Sequence, residues 1–387
     1  MTGGGIYIAP SKNITMPASD SLSGLLLIFT ALSGELPPSQ VVRLPGSDYY
    51  KKNVVNDMKK KKLLRTYFSD HLRGLRLTST GKKLLLDHDP DRYQTIFSGE
   101  RATNAPKYSL SDRLRLHRMA EVLVTMHNAD VLSFPWEKPA IFQQVPLSPQ
   151  PVIIDPTYYS SREMKEIGDQ AIKIRNCRST GVLFSANDIF AVYNTGSSRI
   201  KWDHFTEERL KALVQQELCQ KRLSGQFKNA PLKAIVFGDG MKPLEKLMLY
   251  ANSGKAQSDI VLNGTFEQFH YLSSDRRGEI ILQLLCYPEL KISLDKILSE
   301  DLSEHIPNFP IEHDAMDEKG SPVLFAYTCD MPRIRRFDNA LGVHERTGTL
   351  ICFDFQLEVL SHLCGPRVTF QSIDFEAFER SIQKDVL

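Results

Sequence analysis

Cysteine is scarce in this chain and never paired at short range. Cys177, Cys219, Cys286, Cys329, Cys352 and Cys364 are scattered and form no Cys-x-x-Cys pair. That spacing argues against a structural zinc site and predicts reduced core thiols in a cytoplasm. Long hydrophobic runs are missing too. The longest, Leu25 to Leu32, is interrupted by Thr30 and is far shorter than the ~18–20 residues of a membrane span, so no membrane partner is expected. The opening Met1-Thr2-Gly3-Gly4-Gly5 has neither a basic region nor a cleavage site, and no secretory leader is expected.

Several catalytic signatures are also absent. Gly238-Asp239-Gly240-Met241-Lys242 has the position of a phosphate loop but lacks Gly-Lys-Ser/Thr and the third glycine of a dinucleotide fingerprint. No Gly-x-Ser-x-Gly elbow occurs. No His-hydrophobe-His motif stands beside Tyr49-Tyr50 or Tyr158-Tyr159, as a rolling-circle relaxase would require. Tyr50 is expected in the core and Tyr49 at a phosphate. His117, with no second ligand at metal spacing, is expected to be a hydrogen-bonded packing residue.

What the chain does have is 387 residues, 42% of them hydrophobic, enough for two or three globular domains. Its cations are concentrated. Val41 to Lys83 holds twelve Lys and Arg against three acids, a net +9, whereas the whole chain carries only +2; everything else therefore sums to −7. Such segregation is the footprint of a phosphate-binding surface.

The same stretch reads as a winged helix-turn-helix. An apolar helix (Leu22, Leu25, Leu26, Ile28, Phe29, Leu32) precedes a short one from Pro38 to Leu44, closed by Pro45-Gly46. A third helix opens at Ser47 or Asp48, with Tyr50, Val54, Val55 and Met58 at helical spacing. Leu64 to Phe68 and Leu75 to Thr78 are two strand-like runs joined by Ser69 to Gly74, the expected wing with a mobile tip, and Thr80 is the expected cap of a further helix. Duplex DNA is favoured over RNA as partner, because such a helix fits the DNA major groove. The predicted contacts are Tyr49, Lys51, Lys52, Asn53, Asn56, Lys59, Lys60, Lys61, Lys62, Arg65, Arg73 and Arg76.

The expected domains are a flexible terminus (1–18), the winged helix (19–105), a helix with a Pro/aromatic-rich connection (106–150) and an α/β domain (151–387), with a split near 255–320 as the alternative. Asp87 to Lys107 reads as a linker, and Ser109 to Asn128 as a helix with Leu110, Leu114, His117, Val124 and His127 near one face. Beyond Val152 strands and helices interleave. Val152-Ile153-Ile154 is a strand candidate, Ser160 to Glu163 matches a capping box, and Thr180 to Ser185 pairs with Ile189 to Tyr193 through Ala186-Asn187-Asp188; Arg199 to Trp202 is a further strand candidate. Thr206 opens a helix to about Leu223, and Ala234 to Gly238 is the best buried strand. Later come helices at Ser274 to Cys286, Gln356 to Leu363 and Asp374 to Lys384, and strands at Val323 to Tyr327, Leu350 to Phe355 and Val368 to Gln371. The fold class is α/β, with a mixed sheet in the larger domain.

A restriction-type nuclease is the remaining enzyme option, with Asp155, Glu163 and Asp188 as its carboxylates and Mg²⁺ as a cofactor only in that case; no other cofactor is expected. The strand after Asp188, Ile189 to Gly196, lacks the acid-x-Lys such a site needs. A third option is a protein-interaction adaptor whose basic module meets an acidic partner.

Leu75-Arg76-Leu77-Thr78-Ser79-Thr80-Gly81 at the end of the wing, Leu116-His117-Arg118-Met119-Ala120-Glu121-Val122 in a later helix, and a sheet domain downstream resemble the replication-relaxation family of plasmid and integrative-element proteins. The resemblance spans mainly residues 20 to 200. It implies a DNA-binding winged helix joined to a restriction-endonuclease-like fold, linked to plasmid replication or mobilisation. Replication or conjugation proteins and a second copy of the chain are the further partners to expect beside double-stranded DNA. Where the family tends to place acids on the sheet, this chain has Tyr193-Asn194-Thr195-Gly196, which favours a scaffold without nuclease activity. The expected function is that of a DNA-binding accessory factor.

Overall fold

The computed structural model describes residues 14–98, 106–174, 177–186, 188–198, 204–251 and 266–385. The Arg199 to Trp202 strand candidate and most of the 1–18 terminus lie outside them, as does Asn187 of the hairpin turn. The chain is mixed α/β and divides into two compact units, Met1–Ala120 and Glu121–Leu387. Among the described residues no helix is long and apolar enough to cross a membrane, and all six cysteines are free thiols.

In the first unit, α1 (Leu22–Ser33) is apolar almost all round, and Leu26, Leu27, Ile28, Phe29 and Ala31 are fully buried. Gly34 ends it in the left-handed region. Helices α2 (Pro38–Arg43) and α3 (Asp48–Lys60) follow, with Gly46 at φ +105° making the turn between them. Strands β1 (Leu64–Ser69) and β2 (Leu72–Leu77) form an antiparallel hairpin, and Leu36, between α1 and α2, bridges Leu75 of β2. The hairpin closes through Asp70 and His71, both at positive φ, a two-residue turn of the I′ kind rather than the longer tip the sequence predicted.

Helix α4 (Ser79–His88) is capped by Thr78, whose hydroxyl accepts from the Gly81 amide, and not by Thr80. The expected linker contains α5 (Pro90–Phe97), because Asp89 caps the Arg92 amide and Tyr93 and Phe97 are buried. In α6 (Leu110–Asn128), Ser109 accepts from the Asp112 amide; Leu110 and Leu114 are exposed, so the apolar face is narrower than the spacing predicted.

The second unit carries a five-stranded sheet in the order β3 (Thr157–Ser160), β4 (Gly181–Ser185), β5 (Asp188–Gly196), β6 (Leu232–Gly238), β7 (Phe269–Ser273). The first three strands run antiparallel; β5, β6 and β7 run parallel. Val152 to Ile154 is not a strand: the Gln226 side-chain amide takes both backbone groups of Ile153 at 2.7 and 3.0 Å and leaves Val152 and Ile154 exposed. The Ser160–Glu163 capping box is present, but it opens a 3-10 segment, Glu163–Ile174, broken at Gly168.

Between β5 and β6 lie α7 (His204–Leu213), a π-helical stretch (Val214–Arg222) and α8 (Ser224–Phe227), so the single helix expected here widens midway. After β6 come α9 (Lys242–Ala251) and, beyond β7, α10 (Arg276–Cys286), capped by Asp275, and α11 (Pro288–Leu298). A second sheet has the order β11 (Val368–Ile373), β10 (Gly348–Phe353), β9 (Pro322–Phe325), β8 (Ala315–Met316), with β9, β10 and β11 parallel. Helices α12 (Met331–Val343), α13 (Asp354–Leu363) and α14 (Phe375–Asp385) complete the unit. Its core collects Phe184, Ala191, Tyr193, Val236 and Tyr271 from one face of the larger sheet, with Leu210, Leu218 and Leu244 from its helices.

Candidate nucleic-acid interface

Helix α3 exists because Ser47 caps it, accepting from the Tyr50 amide, and because Met58 and half of Val54 and Val55 face inward. The opposite face is left to solvent. Tyr49, Lys52, Asn53, Asn56 and Lys60 are exposed and recur at three- and four-residue intervals, so they form one stripe of the helix. Tyr50, expected in the core, is 49% exposed and packs under Gly46 instead. Lys51 is buried: its ammonium donates to the Val42 carbonyl at 2.6 Å and lies 3.6 Å from Asp48, which removes it from the predicted contact set.

Past α3 the chain stops turning at a Schellman motif. The Leu63 amide reaches the Met58 carbonyl, the Lys62 amide reaches that of Lys59, and Lys62 occupies the left-handed position at φ +56°. Glycine is the usual residue there; a lysine accepts roughly 1 kcal/mol of backbone strain. Lys60, Lys61 and Lys62 are exposed, Lys59 is half-buried, and Lys61 pairs with Asp57 at 2.7 Å. On the hairpin, Arg65 and Arg73 are exposed, and the Arg73 guanidinium lies 5.6 Å from the ring of exposed Phe68. Among the described residues Lys52, Lys60, Lys62, Arg65, Arg73 and Lys83 meet no carboxylate, whereas Arg76 does.

Arg76 is the clearest departure from the predicted contacts. It is 5% exposed, and its Nε and Nη2 donate to Glu35 at 2.8 and 2.6 Å. Glu35 is fully buried and also accepts from Arg113 Nη2 at 2.6 Å and contacts His117 Nε2 at 3.0 Å. Arg113 in turn donates to the carbonyls of Ser69 and Leu72, gripping both ends of the hairpin turn, and both guanidinium groups lie over the Tyr67 ring. Burial alone would raise the Glu35 carboxyl, but the hydrogen bonds from His117, Arg113 and Arg76 outweigh it and hold it at about 2. Gly74 leaves the space for this carboxylate; a Cβ there would stand 2.2 Å from Oε1. His117 is thus the hydrogen-bonded packing residue the sequence predicted.

The predicted nuclease acids are not brought together. Glu163 caps Ser160 and pairs with buried Lys138 at 2.9 Å, Asp188 pairs with Lys233 at 2.7 Å, and Asp155 is exposed in the bend before β3. Among the described residues no group of three or more His, Cys, Asp or Glu side chains is placed to hold a metal ion. Glu207, one of the buried acids of that unit, accepts from Tyr193 Oη, Cys177 Sγ and the Arg178 amide.

Sequence reasoning missed Glu35, Arg113 and Lys233, whose partners lie 41, 78 and 45 positions away. Lys82 and Lys83 entered the charge count without a role. Comparison with known protein families, with curated proteins and with solved structures gives no match.

Proposed function

We propose that the chain is a duplex-DNA-binding protein that lays α3 in the major groove and its hairpin along the adjoining backbone. The observation that carries this reading is the set of six cations without carboxylate partners on α3, its final turn, the hairpin and α4, in a chain whose remainder is acidic. The order α1, Leu36 bridge, α2, α3, β1, β2 supports a winged helix-turn-helix. Lys52, Asn53 and Asn56 would reach base edges, Asn56 by a bidentate pair with adenine, while Tyr49, Lys59 to Lys62, Arg65 and Arg73 would hold phosphates. The resemblance of the wing and α6 motifs to the replication-relaxation family supports an accessory role in replication, mobilisation or regulation of a plasmid or integrative element, in the cytoplasm.

Selection of bound duplexes from a random pool tests the reading. A shared motif containing adenine is expected, with Asn56→Ala relaxing its adenine position at a cost of about 1–3 kcal/mol. Enrichment of no duplex at all contradicts it.

A restriction-endonuclease-like scaffold for the second unit is supported by the antiparallel β3-β4-β5 meander followed by a helical crossover to parallel β6. The register places Lys233 opposite Phe190, so its ammonium reaches Asp188 from the neighbouring strand. With Asp155 exposed in the bend before β3 and Glu163 held by Lys138 and Ser160, this donor set does not fit a two-metal centre. Incubation of supercoiled plasmid with Mg²⁺ or Mn²⁺ is expected to leave it intact; nicking that is lost on Asp188→Ala would establish an enzyme.

A further inference from the structure

On the first unit, the start of β1, the end of β2 and the first turn of α4 border an open groove of about 640 Å3. Pockets for apolar small molecules are lined mainly by hydrophobic and aromatic side chains. Here Leu77, Leu86 and Phe97 form the apolar part of the lining, but Arg65, Lys82, Lys83, Thr78 and Ser79 add cations and hydroxyls to it, and Asp87, near the far end of α4, is the acid among the described lining residues. None of these residues belongs to α3.

Four physical features favour an anion in this groove. Arg65 and Lys83 are exposed and, among the described residues, have no carboxylate partner; Lys83 makes no hydrogen bond to Asp87 one turn away. Like charges are pressed together: burial, then the nearby Arg65 guanidinium, push the Lys82 ammonium below its ordinary range. The groove meets the positive end of α4, where Thr78 takes the Gly81 amide but the amides of Ser79 and Thr80 precede any intrahelical acceptor. Finally, a smaller cavity shares Arg65, Leu77, Lys82 and Phe97 with the groove and is lined by Arg76, whose buried Nη1 has no acceptor. A desolvated guanidinium N–H without a partner is costly, so this one, outside the groove lining itself, favours an acceptor, a water or an anion, in the smaller cavity beside it.

We propose that this groove seats a phosphate of the DNA backbone, held by Arg65, Lys83 and the first-turn amides of α4. The inference rests on the DNA-binding reading, which already gives Arg65 to a phosphate, and adds Lys83 and the first-turn amides of α4 to that contact. A phosphate gripped from both the hairpin and α4 would fix the orientation of the module on the duplex.

The test uses the full chain, a mixed-sequence duplex and a salt titration, comparing the wild type with the double variant Arg65→Gln, Lys83→Gln and with Lys83→Gln alone. Both side chains are exposed, so unchanged thermal unfolding is expected. The double variant should bind about tenfold more weakly, and its log–log salt slope should shrink by about 1, the value for one lost phosphate. A wild type that does not bind DNA overturns the functional reading. A wild type that binds steeply, with Lys83→Gln indistinguishable from it instead of several-fold weaker, overturns this groove alone, since Arg65 is a phosphate contact in the functional reading too.

Amide resonances of Ser79 and Thr80 distinguish the source of the phosphate. Orthophosphate should shift them in the wild type but not in the double variant, and saturating duplex should displace it. Orthophosphate that stays bound beside the duplex would assign the groove to a free phosphate ligand and overturn the backbone contact.

Discussion

Glu35 is the residue on which the hairpin depends. It faces two guanidinium groups and a histidine in a fully buried position, so removing its charge leaves Arg76 and Arg113 buried without a counterion. Glu35→Gln is expected to lower stability by about 3–5 kcal/mol in urea unfolding; a loss under 1 kcal/mol would show that the cluster is energetically idle. The same geometry sets an acid limit. Because the folded carboxyl sits at about 2 and the unfolded one near 4.5, its contribution is full above about pH 4.5 and is lost as pH falls towards 2. Stability measured from pH 5 to pH 2 should fall more steeply in the wild type than in Glu35→Gln, and parallel curves would refute the assignment. Lys62 offers the converse test. Lys62→Gly should relieve about 1 kcal/mol of strain in the left-handed position while weakening DNA binding, so stability and affinity move in opposite directions. At this scale the sequence was partly misleading. In Leu75-Arg76-Leu77 the alternation points Arg76 away from the leucines, which reads as outward to solvent; its carboxylate partner lies 41 residues upstream, beyond any local window.

Among the elements, caps and apolar spacing were the legible part. Ser47, the Ser160–Glu163 box and the Ala234 to Gly238 run each stand where the chain chemistry put them, because a free amide at a helix start or a run of β-branched residues needs no distant partner. Two segments mislead a local reading. Helix α5 hides in a polar stretch whose Asp89 and Pro90 read as breakers but act as its cap and first turn, and Val152 to Ile154 is withheld from the sheet by the distant Gln226. Helix α12 shows Ile334, Phe337 and Leu341 at helical spacing, a local signal that the sequence carries in full. For α4 the cap moved by two residues, since Thr78 also donates to the Lys62 carbonyl and so ties the helix start to the end of α3. Thr78→Ala is expected to cost about 1 kcal/mol, and Thr80→Ala almost nothing; equal losses in thermal unfolding would contradict this assignment of the cap.

Across the whole molecule, what matters is where charge is left unpaired. Residues 41–83 carry +9 and the rest −7, and burial removes only Lys51 and Arg76 from the basic set, so the cations that remain at the surface are about those a phosphate backbone would neutralise. In the larger unit, buried Glu207 accepts from Tyr193 and half-buried Glu163 pairs with Lys138, so these acids are used internally. Its α/β class was legible from interleaved strands and helices, while the parallel order of β5, β6 and β7 depends on long-range pairing that spacing does not encode. The most direct measurement is the salt dependence of duplex binding by the full chain. Six neutralised phosphates predict a log–log slope near roughly −5 between about 50 and 200 mM salt, whereas binding with a slope near zero would contradict the electrostatic account.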